Sequence, residues 1–108
     1  MIIISKEKFV EWMKGKGYSE FTPEGAPSTI YQYCYMIERL MERERIKSYS
    51  ELTVSLRKWI KWLRGSGKLK EKKYWKTQYP ELINALETFE WYLLDRFEEY
   101  QEYLIILG

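Results

Sequence analysis

Between Thr29 and Arg43 the apolar residues Ile30, Tyr33, Cys34, Ile37, Leu40 and Met41 fall at offsets 0, 3, 4, 7, 10 and 11, the recurrence of one stripe along an α-helix. A strand returns to the same face every second residue, so this spacing suits a helix and not a sheet. Pro27-Ser28 opens this helix, and the side away from its stripe carries Gln32, Tyr35, Arg39 and Arg43. A helix with one apolar face needs apolar partners to cover it, and the rest of the chain supplies them.

Ser5 is placed to cap a first helix from Lys6 to Lys14, with Phe9, Val10 and Met13 on one face and Gly15 and Gly17 ending it. Tyr18 to Pro27 reads as a loop. Ser48 and Glu51 have the spacing of a capping box, and Leu52, Leu56, Trp59, Ile60 and Leu63 follow on one face of a third helix that runs to about Arg64. Gly65-Ser66-Gly67 breaks that helix, and Lys68 to Lys76 reads as a basic connector with little structure of its own. Tyr79-Pro80-Glu81 starts a fourth helix, in which Leu82, Leu86, Phe89, Leu93 and Phe97 repeat every three to four residues, with a bend or split expected near Asp95. The apolar end, Tyr103 to Gly108, is expected to pack on the core, frayed or as a short strand able to pair with Ile2-Ile3-Ile4. The expected fold is all-α, a single compact bundle of four to five helices spanning residues 1–108.

A chain of 108 residues with 45% hydrophobic and 31% charged side chains is long enough for one core without disulfides or a structural metal. The single Cys34 excludes an internal disulfide, sits on the buried stripe of its helix, and fits a reducing compartment. The N-terminal apolar run is too short for a signal peptide, and no stretch approaches the roughly 18 apolar residues of a membrane span, so the expected location is the cytoplasm. The chain contains no histidine, which removes the usual ligand and base of metal and acyl-transfer sites. No glycine-rich phosphate loop or nucleophile motif is present, and Glu98, Glu99 and Glu102 project from a helix exterior instead of converging. The expectation is a protein with no catalytic residues, no cofactor and no metal.

The formal net charge of +2 conceals a strong separation of sign. From position 57 to 76 the chain carries Arg57, Lys58, Lys61, Arg64, Lys68, Lys70, Lys72, Lys73 and Lys76 against one acid, whereas positions 77–108 carry seven acids against Arg96 alone. On a helical projection Arg57, Lys58, Lys61 and Arg64 lie opposite the apolar stripe of the third helix, so the charge forms a face. Trp62 flanks that stripe. Trp59 is expected in the core and Trp12 and Trp91 in packing roles, while Trp62 and Trp75, set among cations, are candidates for stacking on bases or for a partner contact. Lysines and arginines mixed with aromatic rings suit phosphates and base faces together.

Phe9-Val10-Glu11-Trp12-Met13, then Gly17-Tyr18-Ser19, then Ser28-Thr29-Ile30 with Tyr33 and Ile37, resembles the N-terminal SAM-like core-binding domain of tyrosine recombinases and phage integrases. Asn84-Ala85-Leu86 with Phe89, Tyr92 and Leu93 is similar to that family's last helix. The resemblance covers about residues 5–95 and implies a four-helix domain clamping duplex DNA, its second and fourth helices facing the major groove. It implies base contacts from Gln32, Tyr35, Arg39 and Arg43, and arginine and glutamine are able to hydrogen-bond guanine and adenine edges bidentately. The chain departs from the family pattern in the added loop from Glu20 to Pro27, in the acids Glu81, Glu87, Glu90 and Asp95 of its fourth helix, and in lacking a catalytic domain. A standalone relative that binds without cutting strands, encoded by a phage or mobile element, is what the resemblance implies.

Two functions fit these residues. The first is a nucleic-acid-binding module, duplex DNA favoured, in which the basic segment neutralises phosphates and the second helix supplies any sequence preference. The second is a protein-interaction module, an adaptor or inhibitor, in which aromatic and oppositely charged surfaces dock on a partner or a second copy through the acidic last helix and the apolar tail. Pairing of the acidic helix with the basic face inside one molecule is the competing structural explanation of the charge pattern.

Overall fold

Two serines set the starts of two helices. Ser5 Oγ accepts the Lys8 backbone N–H at 3.3 Å at the head of α1 (Lys6–Gly15), and Ser48 Oγ accepts that of Glu51 at 3.0 Å at the head of α3 (Tyr49–Arg64). The capping box closes one residue early, because the Glu51 carboxylate accepts the N–H of Lys47 and not that of Ser48. Between these helices lies α2 (Thr29–Glu44), which ends on Arg45 in the left-handed conformation (φ 59°), its N–H turned back to the carbonyls of Met41 and Glu42. The chain continues through α4 (Lys68–Trp75), a 3₁₀ turn (Lys76–Gln78), α5 (Tyr79–Arg96) and α6 (Glu98–Leu107).

This computed structural model describes residues 4–107, and of 103–107 the backbone only. Among the described residues there is no β-strand; Phe21 and Pro27 form one isolated bridge that closes the loop before α2. The chain is an all-α bundle. The apolar end is helical through Leu107, not a strand; residues 2 and 3, and the packing of the side chains of 104–107, lie outside the described residues.

The bundle is organised around α5, which contacts α1, α2, α3, α4 and α6. Phe89 of α5 sits at the centre, wholly buried, with the rings of Phe9 (5.0 Å), Tyr49 (5.6 Å) and Tyr92 (6.1 Å) around it. The stripe read from α2 is confirmed at Ile30, Cys34, Ile37, Leu40 and Met41, all buried, and burial pushes the Cys34 thiol above its ordinary pKa, in keeping with a packing role. Two polar links tie helices together at the core edge. Glu38 of α2 accepts the Tyr49 hydroxyl at 2.7 Å and pairs with Lys6 at 3.0 Å. Asp95 of α5 accepts the Trp12 indole N–H at 2.8 Å, the bond that chiefly holds its carboxyl below the usual aspartate range.

The last long helix splits as the sequence suggests, two residues beyond Asp95. Phe97 turns to extended backbone (φ −133°, ψ 106°) and packs edge-on against Tyr92, so α6 leaves in a new direction. The basic segment departs further from expectation: Lys68 to Trp75 is a helix and not a weakly structured connector. Only Glu71 and Trp75, one turn apart, are buried in α4. A stripe of one acid and one tryptophan carries no apolar period, so hydrophobic patterning does not see it.

Candidate nucleic-acid interface

Glu71 is 3% exposed and is the only acid within the basic segment. Its carboxylate accepts hydrogen bonds from Arg43 (2.5 Å), Trp75 Nε1 (3.0 Å) and Trp62 Nε1 (3.3 Å), gathering α2, α3 and α4 on one group. Burial by itself pushes this carboxyl up; the bonds from Arg43, Trp62 and Trp75 outweigh that and hold it below the ordinary glutamate pKa. Trp75 is 2% exposed, so it anchors α4 and presents no face to a base, which corrects its assignment as a stacking residue. The reason is the helix: as part of a connector its indole would be accessible, whereas on α4 it faces inward beside Glu71.

The same docking redirects the second-helix face. Arg39 donates to Gln78 Oε1 at 2.5 Å and lies over the Trp75 ring at 4.7 Å, and Arg43, paired with Glu71, stacks at 3.7 Å on Tyr74. These two arginines hold α4 and its following turn against α2, which takes them out of a row of base-reading side chains. Gln32 and Tyr35 remain exposed on α2.

On α3 the expected competition between charges is settled position by position. Arg57 pairs with Glu90 at 3.1 Å and Arg64 pairs with Glu87, so α5 neutralises two cations of the face. Lys58, Lys61, Lys68, Lys70, Lys72, Lys73 and Lys76 are exposed and make no ion pair among the described residues. Lys72 lies 5.5 Å from the Tyr79 ring, and Lys76 adopts a positive φ of 55° where the chain turns from α4 into the 3₁₀ turn.

Between α3, α4 and the end of α2 lies a groove of about 770 Å³. Arg43, Lys58, Lys61, Trp62 and Lys70 of the predicted set line it, joined by Trp59, Glu44 and Glu71. Trp59 is half-buried and touches the core with part of its ring while facing the groove with the rest, so its assignment as a core residue was incomplete. Its spacing from Trp62, one helical turn, is the signal that places the two indoles on one side of α3.

Trp62 is held by a glycine. A Cβ at Gly67 would stand 2.0 Å from the indole ring, so only hydrogen in that place lets the ring lie against the backbone and reach Glu71. Gly67→Ala is expected to displace the indole, break its bond to Glu71 and destabilise the protein by about 1–3 kcal/mol. A red-shifted tryptophan emission with a lowered urea midpoint is the expected reading; unchanged emission and midpoint would show that the ring has another resting place.

Fold and groove together define an all-α domain with a basic, tryptophan-walled cleft between its third and fourth helices. No helix is long and apolar enough to cross a membrane among the described residues. No protein-family model, curated protein or solved structure matches the chain.

Proposed function

We propose that this protein is a non-catalytic nucleic-acid-binding module that takes duplex DNA on the outer faces of α3 and α4. The observation that carries the reading is the set of seven exposed lysines, Lys58, Lys61, Lys68, Lys70, Lys72, Lys73 and Lys76, without an acidic partner among the described residues although α5 supplies acids to Arg57 and Arg64 nearby. Lys58, Lys61 and Lys70 gather at the groove, and Lys68 and Lys72 line a second hollow against α5; like cations in such proximity are stabilised by a polyanion, whose condensed counterions are released on binding. The resemblance to the integrase core-binding domain supports duplex DNA as the polyanion. Sequence preference on this reading is weak, since Arg39 and Arg43 hold α4 and only Gln32 and Tyr35 stay available on α2.

The test is fluorescence anisotropy of labelled duplex DNA, single-stranded DNA and RNA titrated at several salt concentrations. For duplex DNA, log affinity should fall with log salt at about −0.9 per phosphate contacted, and Lys58→Glu with Lys61→Glu and Lys70→Glu should flatten the slope by about 0.9 per lysine. An unchanged slope in the triple variant would remove the lysine face from the interaction. The protein-interaction reading is favoured by one observation, the 48% exposure of Trp91 on α5, away from the groove-lining residues. It becomes the better account if no nucleic acid binds at low salt.

A further inference from the structure

We propose that the cleft between α3 and α4 is a subsite for an unpaired base, so that the module favours nucleic acid with a single-stranded segment beside its duplex; this rests on the nucleic-acid reading above. A duplex presents phosphates outward and keeps its bases stacked inside, so the exposed lysines can serve it but the walls of Trp59 and Trp62 cannot. An indole face is useful only to a ring that has left the stack. The volume of about 770 Å³ lies within the range of pockets that enclose small organic ligands, a size suited to a nucleotide and too small for a double helix.

The charge around the cleft matches such an occupant. Arg43 and Glu71 satisfy each other, leaving Lys58, Lys61 and Lys70 against Glu44, a net positive rim for the phosphates on either side of an inserted base. Trp62 is already fixed by Gly67 and by its bond to Glu71, so its ordering entropy is lost on folding and not on binding. Because the Trp62 N–H is used by Glu71, this indole holds the base through its face, a mode of contact open to every base.

The test compares three probes with the wild-type protein at one salt concentration: a blunt duplex, the same duplex with a short oligothymidine extension, and the same duplex with an abasic extension of equal length. The oligothymidine probe should bind about tenfold tighter than the other two, as expected for stacking of one base. Trp59→Leu, which keeps apolar bulk but removes the indole, should erase that advantage. An oligouridine extension reports whether RNA serves equally. Equal binding of blunt and extended duplexes would overturn the subsite and leave duplex binding standing, as would an abasic extension as effective as oligothymidine. Binding of none of the probes would overturn both.

Discussion

Replacing Glu71 with alanine is expected to destabilise the protein by about 3–5 kcal/mol and to detach α4 from the bundle. The side chain is 3% exposed and is the shared acceptor for Arg43, Trp62 and Trp75, so its removal leaves a guanidinium and two indole N–H groups in a partly dry environment without a partner. Trp75 is the only other buried residue of α4, which leaves the helix little else to hold it. Urea unfolding followed by far-UV circular dichroism measures the loss, and a change below about 1 kcal/mol would show that α4 docks without its carboxylate.

The same group makes stability depend on pH in a definite direction. Its folded pKa lies below the ordinary glutamate value, so the folded state binds the proton less readily than the unfolded chain. The stabilisation is therefore complete above the unfolded-state pKa and is lost as pH falls through the lowered folded one. In Glu71→Gln this part of the acid limb should disappear, and the wild type and variant curves should converge toward low pH. Parallel curves would assign the acid sensitivity to other carboxylates.

Phe89→Ala should cost about 3–5 kcal/mol by a different route. Phe89 is wholly buried where α1, α3 and α5 meet, with Phe9, Tyr49 and Tyr92 packed on its ring. Rigid aromatic neighbours cannot collapse into the vacated space, so the cavity term adds to the lost transfer energy. Phe89→Leu refills most of the volume and should recover most of the loss. Thermal unfolding of the two variants distinguishes a cavity effect from a general intolerance of substitution, which would affect both equally.

The helices that carry their own apolar stripe were legible from the residues. α2 needs no context, because Ile30, Cys34, Ile37, Leu40 and Met41 fall on one face by spacing alone, and all are buried. The caps at Ser5 and Ser48 were equally local, a hydroxyl meeting an N–H three residues on. The split near Asp95 was partly legible, since the apolar repeat continues to Phe97 although the backbone turns there.

The candidate site was legible only in outline. The charge segregation along the sequence marked Arg57 to Lys76, and Lys58, Lys61, Trp62 and Lys70 do meet at one cleft. Arg57 and Arg64 look identical to these lysines in sequence, and only the approach of Glu90 and Glu87 on α5 distinguishes them. Trp62 and Trp75 likewise read as equivalent indoles among cations, yet one lines the cleft and the other is buried.

What the sequence determined by itself was therefore set by neighbours within a turn or two: the apolar periods of α1, α2, α3 and α5, the serine caps, the glycine break and the sign of the charge on each segment. The tertiary structure alone decided that Lys68 to Trp75 is a helix, that Arg39 and Arg43 brace that helix, and which cations pair with α5. Arg39 is held by Gln78 and Trp75, and Arg57 and Arg64 by Glu90 and Glu87, whereas the docking of α4 and the engagement of Arg43 turn on Glu71, an acid that sequence patterning counts as surface. It is buried because Arg43 and Trp62, 28 and 9 residues away, supply donors that no local rule could anticipate. A buried charge is tolerated only where partners from other elements converge on it.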